Sequence, residues 1–217
     1  MVNAPTSPST LTEPDPRVER SRRIILEAVL DELGEVGYGA LTIEAVAARA
    51  GVGKSTIYRH WPGGKLALVE DAFRTLKAPV LVPESGTLKD RVISVIEQVA
   101  CLVEQSTYSS CMPALIEAAE HDPQVRDFHC RFSAERRAGL VDLLRDAVEN
   151  GELPPRTDPE LLADALVGAI FLRRLLLHQP LDPALVPALV DQLLPPPPRA
   201  SRQRSTSRRT GRGSYRR

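Results

Sequence analysis

The chain has 217 residues with Lys+Arg and Asp+Glu equal at 28 each, and is 42% hydrophobic but only 4% aromatic. That is enough apolar material for a sizeable core in one large helical body, or in a small domain fused to a larger one. Three cysteines, Cys101, Cys111 and Cys130, without a C-x-x-C spacing, argue against a disulfide framework or a zinc knuckle, so no metal or other cofactor is expected.

The zero net charge hides an asymmetry. By segment the balance is −2 over residues 1–16, +2 over 17–77, −8 over 78–198 and +8 over 199–217. The last segment and the arginines of the N-terminal unit are suited to a polyanion. No signal-peptide pattern opens the chain, and the most apolar stretch, residues 161–177, carries Asp164, Arg173 and Arg174, which does not suit a membrane span. The expectation is a soluble, cytoplasmic protein with no membrane partner.

Residues 1–16 hold four prolines among small polar residues and are expected to form a disordered arm. From Arg17 to Val36, Ile25, Ala28, Val29 and Leu33 recur at helical spacing and Gly37 supplies a stop, which predicts a first helix. Arg17, Arg20, Arg22 and Arg23 crowd its start, the reverse of what the helix dipole favours, as either phosphate ligands or solvated charges.

Thr42 stands where a hydroxyl can cap a second helix running to about Ala50. Ala47 and Gly51, four apart, permit a close helix crossing and a tight left-handed turn. A third helix opens at Gly53 or Lys54 and must end by Trp61, because Pro62 disfavours helical angles in its predecessor. Ile57 and Trp61 face inward. Lys54, Ser55, Thr56, Tyr58, Arg59 and His60 face out, and all six can donate hydrogen bonds, as a surface meeting phosphates and base edges requires.

The run from Thr42 to Val69, T-I-E-A-V-A-A-R-A-G-V-G-K-S-T-I-Y-R-H-W-P-G-G-K-L-A-L-V, resembles the DNA-binding signature of the TetR family of transcriptional regulators. The resemblance implies an all-α protein: an N-terminal three-helix helix-turn-helix domain over 17–64, then a larger C-terminal helical bundle over 65–194 for ligand binding and dimerisation. It implies DNA contacts from Thr42, Lys54, Ser55, Thr56, Tyr58, Arg59 and His60, and a phosphate contact from Lys65 at the start of the fourth helix. Two positions depart from the family pattern. Gly53 replaces a frequent serine cap, and the turn Pro62-Gly63-Gly64 is one residue longer, so the reach of Lys65 to a phosphate rests on that turn.

The stretch from Ala48 to Ser55 also fits a relaxed phosphate-loop pattern, which makes a nucleotide hydrolase the alternative. Its context argues against that, since a phosphate loop follows a buried strand whereas residues 42–50 read as amphipathic helix. A non-enzymatic scaffold associated with nucleic acid is the other alternative.

Beyond a fourth helix over 65–77 and a linker marked by Pro79, Pro83 and Gly86, Thr87 with Asp90 predicts a capped helix from Leu88 to about Gln105. A break over 106–112 and a short helix over 113–120 follow. Asp122-Pro123, Asp158-Pro159 and Asp182-Pro183 each read as a cap before a helix-opening proline, giving helices over 123–150, 159–178 and 183–194, with Pro187 either kinking the last or delaying its start.

Residues 151–183 resemble a common TetR C-terminal type, which implies a homodimer through the last long helices. Leu161, Leu162, Ala165, Leu166, Gly168, Ala169 and Leu172 are the candidate interface, against the alternative that this face packs within one subunit. Cys101, Tyr108, Met112, His121, Phe128, His129, Phe132 and Phe171 are the candidate lining of an effector pocket. The segment over 195–217 opens with Pro195–Pro198 and then holds eight arginines and no acid over 199–217; it is expected to be disordered, either as a non-specific phosphate-binding arm or as a solvated terminal extension. Together these features predict a ligand-responsive, sequence-specific DNA-binding regulator, a repressor released from a near-palindromic operator by a small-molecule effector.

Overall fold

The computed structural model describes residues 16–76 and 81–194, and the expected N-terminal arm (apart from Pro16) and Arg-rich tail lie outside the described residues. Among those residues the elements are α1 (Pro16–Ala40), α2 (Ile43–Ala50), α3 (Lys54–His60), α4 (Gly64–Thr75), α5 (Leu88–Glu104), α6 (Ser106–His121), α7 (Pro123–Glu149), α8 (Pro159–Phe171), a π-helical turn (Leu172–Leu176) and α9 (Leu185–Leu193). There is no strand among them. The all-α expectation holds.

Several ends follow from capping chemistry read in the sequence. Thr87 and Asp90 form a reciprocal capping box at the start of α5, with Thr87 N–H donating to Asp90 Oδ2 at 3.1 Å and Asp90 N–H to Thr87 Oγ1 at 3.2 Å. Asp122 Oδ1 accepts from the Gln124 and Val125 amides, and Asp158 Oδ1 from those of Glu160 and Leu161, so α7 and α8 open as expected.

Four helices differ at their ends. Pro16 is the first residue of α1, not the end of an arm, and the helical path is interrupted at Gly37 (φ 76°) yet resumes to Ala40. The expected break over 106–112 is confined to Gln105, and α6 then runs through Pro113. A helix-interior proline removes one backbone donor, a cost this helix offsets through its contacts with α1 and α7. After Phe171 the α-helix widens into the π-helical turn, in which Leu177 N–H reaches the Leu172 carbonyl at 2.9 Å, instead of continuing to His178. Finally, Asp182 caps only a turn, through Ala184 N–H at 2.8 Å, and α9 starts at Leu185; Pro187 then falls in its first turn, where its missing N–H costs nothing.

The hydrophobic core is continuous from Ile25 to Val190. α1 links its two ends, packing on α2 and α4 on one side and on α6 on the other. The α1/α6 crossing is close. A Cβ at Gly34 would lie 2.7 Å from Ser110 Oγ, and the buried Cys111 Sγ donates to the Leu30 carbonyl at 3.1 Å. Burial pushes the Cys111 thiol up to about 11, consistent with a structural cysteine. α4 and α7 meet through Phe73, which stands edge-on to Phe128 at 5.9 Å and to Phe132 at 5.5 Å.

Candidate functional site

The helix-turn-helix forms because its turn chemistry fits. Thr42 Oγ1 accepts from Ala45 N–H at 3.1 Å, fixing the start of α2. Gly51, at φ 68°, ends α2 in the left-handed conformation, and Val52 N–H returns to the Ala47 carbonyl at 3.0 Å. Gly53 begins α3 with no side-chain cap. Val46 and Ile57, both 0% exposed, fill the wedge between the two helices.

Side-chain links tie this unit to its neighbours and brace those neighbours against each other. Arg49 of α2 donates from Nε to Glu32 at 2.9 Å and through its two Nη groups to Glu35 of α1, which holds the Glu35 carboxyl below its ordinary range. Asp71 of α4 accepts from the buried Trp61 Nε1 at 3.0 Å and from Arg22 of α1 at 2.5 Å, with Arg22 lying over the indole. One carboxylate therefore ties together α1, α4 and the end of α3.

The outward face of α3 matches the sequence reading in part. Ser55, Tyr58 and Arg59 are exposed and their side chains make no hydrogen bond or ion pair among the described residues, and Tyr58 is 50% exposed. Thr56 and His60 are half-buried, His60 with its ring 5.7 Å from that of Trp61. Lys54 is exposed but already paired, with Nζ donating to Glu44 of α2 at 2.9 Å.

Lys65 departs from expectation. Its Nζ donates to the Tyr38 carbonyl at 2.7 Å and the Leu41 carbonyl at 3.2 Å and lies 4.3 Å from the Tyr38 ring centroid. The amine that was to meet a phosphate instead closes the corner between α1 and α2, and burial holds its pKa below the ordinary lysine value. The longer turn is the reason. Gly64 sits at φ 74° and a Cβ at Gly63 would be 2.9 Å from Ala67 Cβ, so both glycines are needed to start α4 where it brings Lys65 inward.

The eight residues from Ala48 to Ser55 span the end of α2, the turn and the start of α3. Helix α2, not a strand, leads into the turn, so the phosphate-loop alternative lacks its structural context.

A second feature lies in the body, a half-open cavity of about 540 Å³ lined by α5, α6, α7 and α8. Of the expected lining, Tyr108, Met112, His129, Phe132 and Phe171 are there, with Tyr108 edge-on to Phe171 at 6.2 Å. Cys101 and His121 are exposed elsewhere, and Phe128 is buried against Phe73. Sequence reasoning missed the charged lining, Arg136, Arg137 and Asp164. A signal was present: Arg136 follows Phe132 by four residues and precedes Leu140 by four, so it interrupts the apolar stripe of α7. Burial lowers the pKa of His129 and raises that of Tyr108 to about 12, so both are neutral near pH 7.

The candidate interface divides in two. Leu161, Ala165 and Leu172 are exposed and, with Leu176 (68%) and Leu177 (51%), form an apolar face; Leu162 and Ala169 are half-buried at its border. Leu166 is fully buried in its own chain and Gly168 lines the cavity, so Leu166 belongs to the core and not to a partner surface.

A helix-turn-helix head built onto a helical body with a drug-sized cavity defines a DNA-binding regulator. Residues 25–72 match the family model described as "Bacterial regulatory proteins, tetR family", and residues 82–193 match "Tetracyclin repressor-like, C-terminal domain". Two curated relatives are alike at this level. An uncharacterized HTH-type transcriptional regulator of Mycobacterium bovis, Mb1581, is 32% identical over 187 residues, covering 85% of this chain and 91% of its own. The DNA-binding transcriptional repressor TetR of Mycobacteroides abscessus is 32% identical over 181 residues, covering 82% and 94%. Among solved structures, the TetR family transcription regulator SCO0332 superposes with a TM-score of 0.58 at 32% identity, covering 80% of this chain and 96% of that one. The chain belongs to the TetR family of bacterial transcriptional regulators.

Proposed function

We propose that the chain acts as a homodimeric repressor, with α3 of each subunit entering the major groove of a near-palindromic operator and a small molecule in the body cavity releasing it. The observation that carries the switch is the double role of α6. One face lines the cavity through Tyr108, Met112 and Ile116; another, through Ser110 and Cys111, is locked against Gly34 and Leu30 of α1. A ligand that displaces α6 therefore acts on the helix that carries the head, and it shifts the DNA-binding equilibrium by its difference in affinity for the two positions.

Thr42, Ser55, Thr56, Tyr58, Arg59 and His60 are the proposed DNA contacts, joined by Lys54 once it exchanges Glu44 for DNA. Lys65 is not among them; it positions the α1/α2 corner. The exposed leucines of α8 and the π-helical turn form the proposed dimer face, which also explains why so much apolar surface stands uncovered on one subunit. The proposed site of action is the cytoplasm, in keeping with a regulator in which no described helix is long and apolar enough to cross a membrane.

Fluorescence anisotropy of a labelled operator duplex tests this reading. Binding is expected to be saturable and two-fold symmetric, and to fall when a cavity ligand is added. A duplex retained equally with every ligand that demonstrably occupies the cavity refutes the switch.

A further inference from the structure

The cavity is apolar and aromatic over most of its wall but holds one charge with no counter-ion. Arg136 reaches in from α7 with its guanidinium over two rings, 5.9 Å from the Tyr108 centroid and 5.5 Å from that of Phe132. Its Nη1 is shut off from solvent and has no hydrogen-bond partner among the described residues. The Arg136 side chain as a whole is half-buried, and a charged group with one donor buried and unused costs free energy that a folded chain normally avoids by pairing. Here no carboxylate of the wall is available for that pairing. Asp164 is bonded to Arg137, and Glu160 at 2.9 Å takes a further donor of the same Arg137. His129, also on the wall, is neutral near pH 7 for the reason given above, and adds no second positive charge.

Resting on the reading of the cavity as an effector site, we infer that the effector is a hydrophobic monocarboxylate whose anionic group pairs with Arg136 while its apolar body lies against Tyr108, Phe132 and Phe171. The charge count favours a monoanion. Arg137 is neutralised within the protein, so the site supplies a single unmatched positive charge, and a phosphate dianion brings in one charge more than the wall can balance. Geometry points the same way, because a guanidinium offers the planar pair of N–H donors that a carboxylate accepts. The Tyr108 and Phe132 rings beside Arg136 keep it in place, and the apolar wall around it strengthens the pairing.

Isothermal titration calorimetry on the full chain with two matched pairs, 2-naphthoate against 2-naphthamide and decanoate against decanamide, tests the inference. Each carboxylate is expected to bind at least ~10-fold more tightly than its amide, the scale of one charge-assisted hydrogen bond. In Arg136→Met the two members of each pair are expected to bind alike. Arg136→Lys keeps the charge without the planar fork and is expected to retain part of the preference. The comparison within the wild-type chain decides even where a variant fails to fold: amides that bind as well as the carboxylates, or no binding by either carboxylate, overturn the inference, as does a preference that survives in Arg136→Met. Amides that bind equally and release the operator leave the effector reading standing while sinking this one. Carboxylates that require Arg136 yet leave the operator bound uphold this inference and sink the release mechanism.

Discussion

Asp71→Ala is expected to weaken the DNA-binding head more than any exposed substitution in it, because that carboxylate joins α1, α3 and α4. The Trp61 indole is only 5% exposed, so removing its acceptor at 3.0 Å leaves a buried N–H unpaired, which costs about 1–3 kcal/mol. The Arg22 ion pair adds little, since the Arg22 side chain is 44% exposed and such pairs contribute roughly 0–1 kcal/mol. A loss of about 2 kcal/mol corresponds to a drop of ~4–8 °C in Tm for a domain of this size. Asp71→Asn can still accept from the indole, so it is expected to lose well under half as much, and Arg22→Ala less again. Trp61 is the chain's one tryptophan, so its emission reports this corner directly during thermal melts run at one fixed protein concentration. The reasoning fails if Arg22→Ala is as damaging as Asp71→Ala, or if Asp71→Ala melts like the wild type.

Lys65→Met is expected to lower stability by about 1–2 kcal/mol through the two carbonyls it abandons, while the slope of log affinity against log salt stays unchanged; a slope reduced by about one means that Lys65 reaches a phosphate after all. Arg59→Ala is expected to relax base preference at one position in each half-site by ~1–3 kcal/mol, whereas Tyr58→Phe should weaken all duplexes alike, both measured by competition with single-base operator variants. The lowered pKa of His129 sets a sign for pH. Below about pH 6.5 the unfolded chain takes up that proton before the folded one does, so stability falls on acidification through this window, and His129→Gln should flatten the fall in urea midpoints measured across it.

The head was legible in the sequence because its signals are local. Thr42, Gly51 and Pro62 act within a few residues of where they stand, and each sets a turn or an end as read. What was not legible depended on distant contacts. Whether Lys65 points outward is decided by where α4 starts relative to the carbonyls of Tyr38 and Leu41, more than twenty residues earlier in the chain. Pro113 looked like a helix start, yet α6 runs through it because its contacts with α1 and α7 outweigh a single missing donor. The cavity was half legible. Five of the candidate residues of the body line it, but of Phe128 and Phe132, four apart on α7 with their rings 5.8 Å from each other, only Phe132 does, because Phe128 is spent in the core against Phe73. Arg136 went unread since a charge in an apolar stripe is usually a solvated one, and only the packing of α6 against α7 reveals that its Nη1 is buried.

Selection of bound duplexes from a random pool with the full chain tests the central claim most directly. The enriched sequences are expected to be near-palindromes whose half-site centres lie about 34–36 Å apart, one helical turn or a multiple of it, as two symmetric copies of α3 require. A pool that stays random, or that converges on a single unpaired half-site, contradicts it.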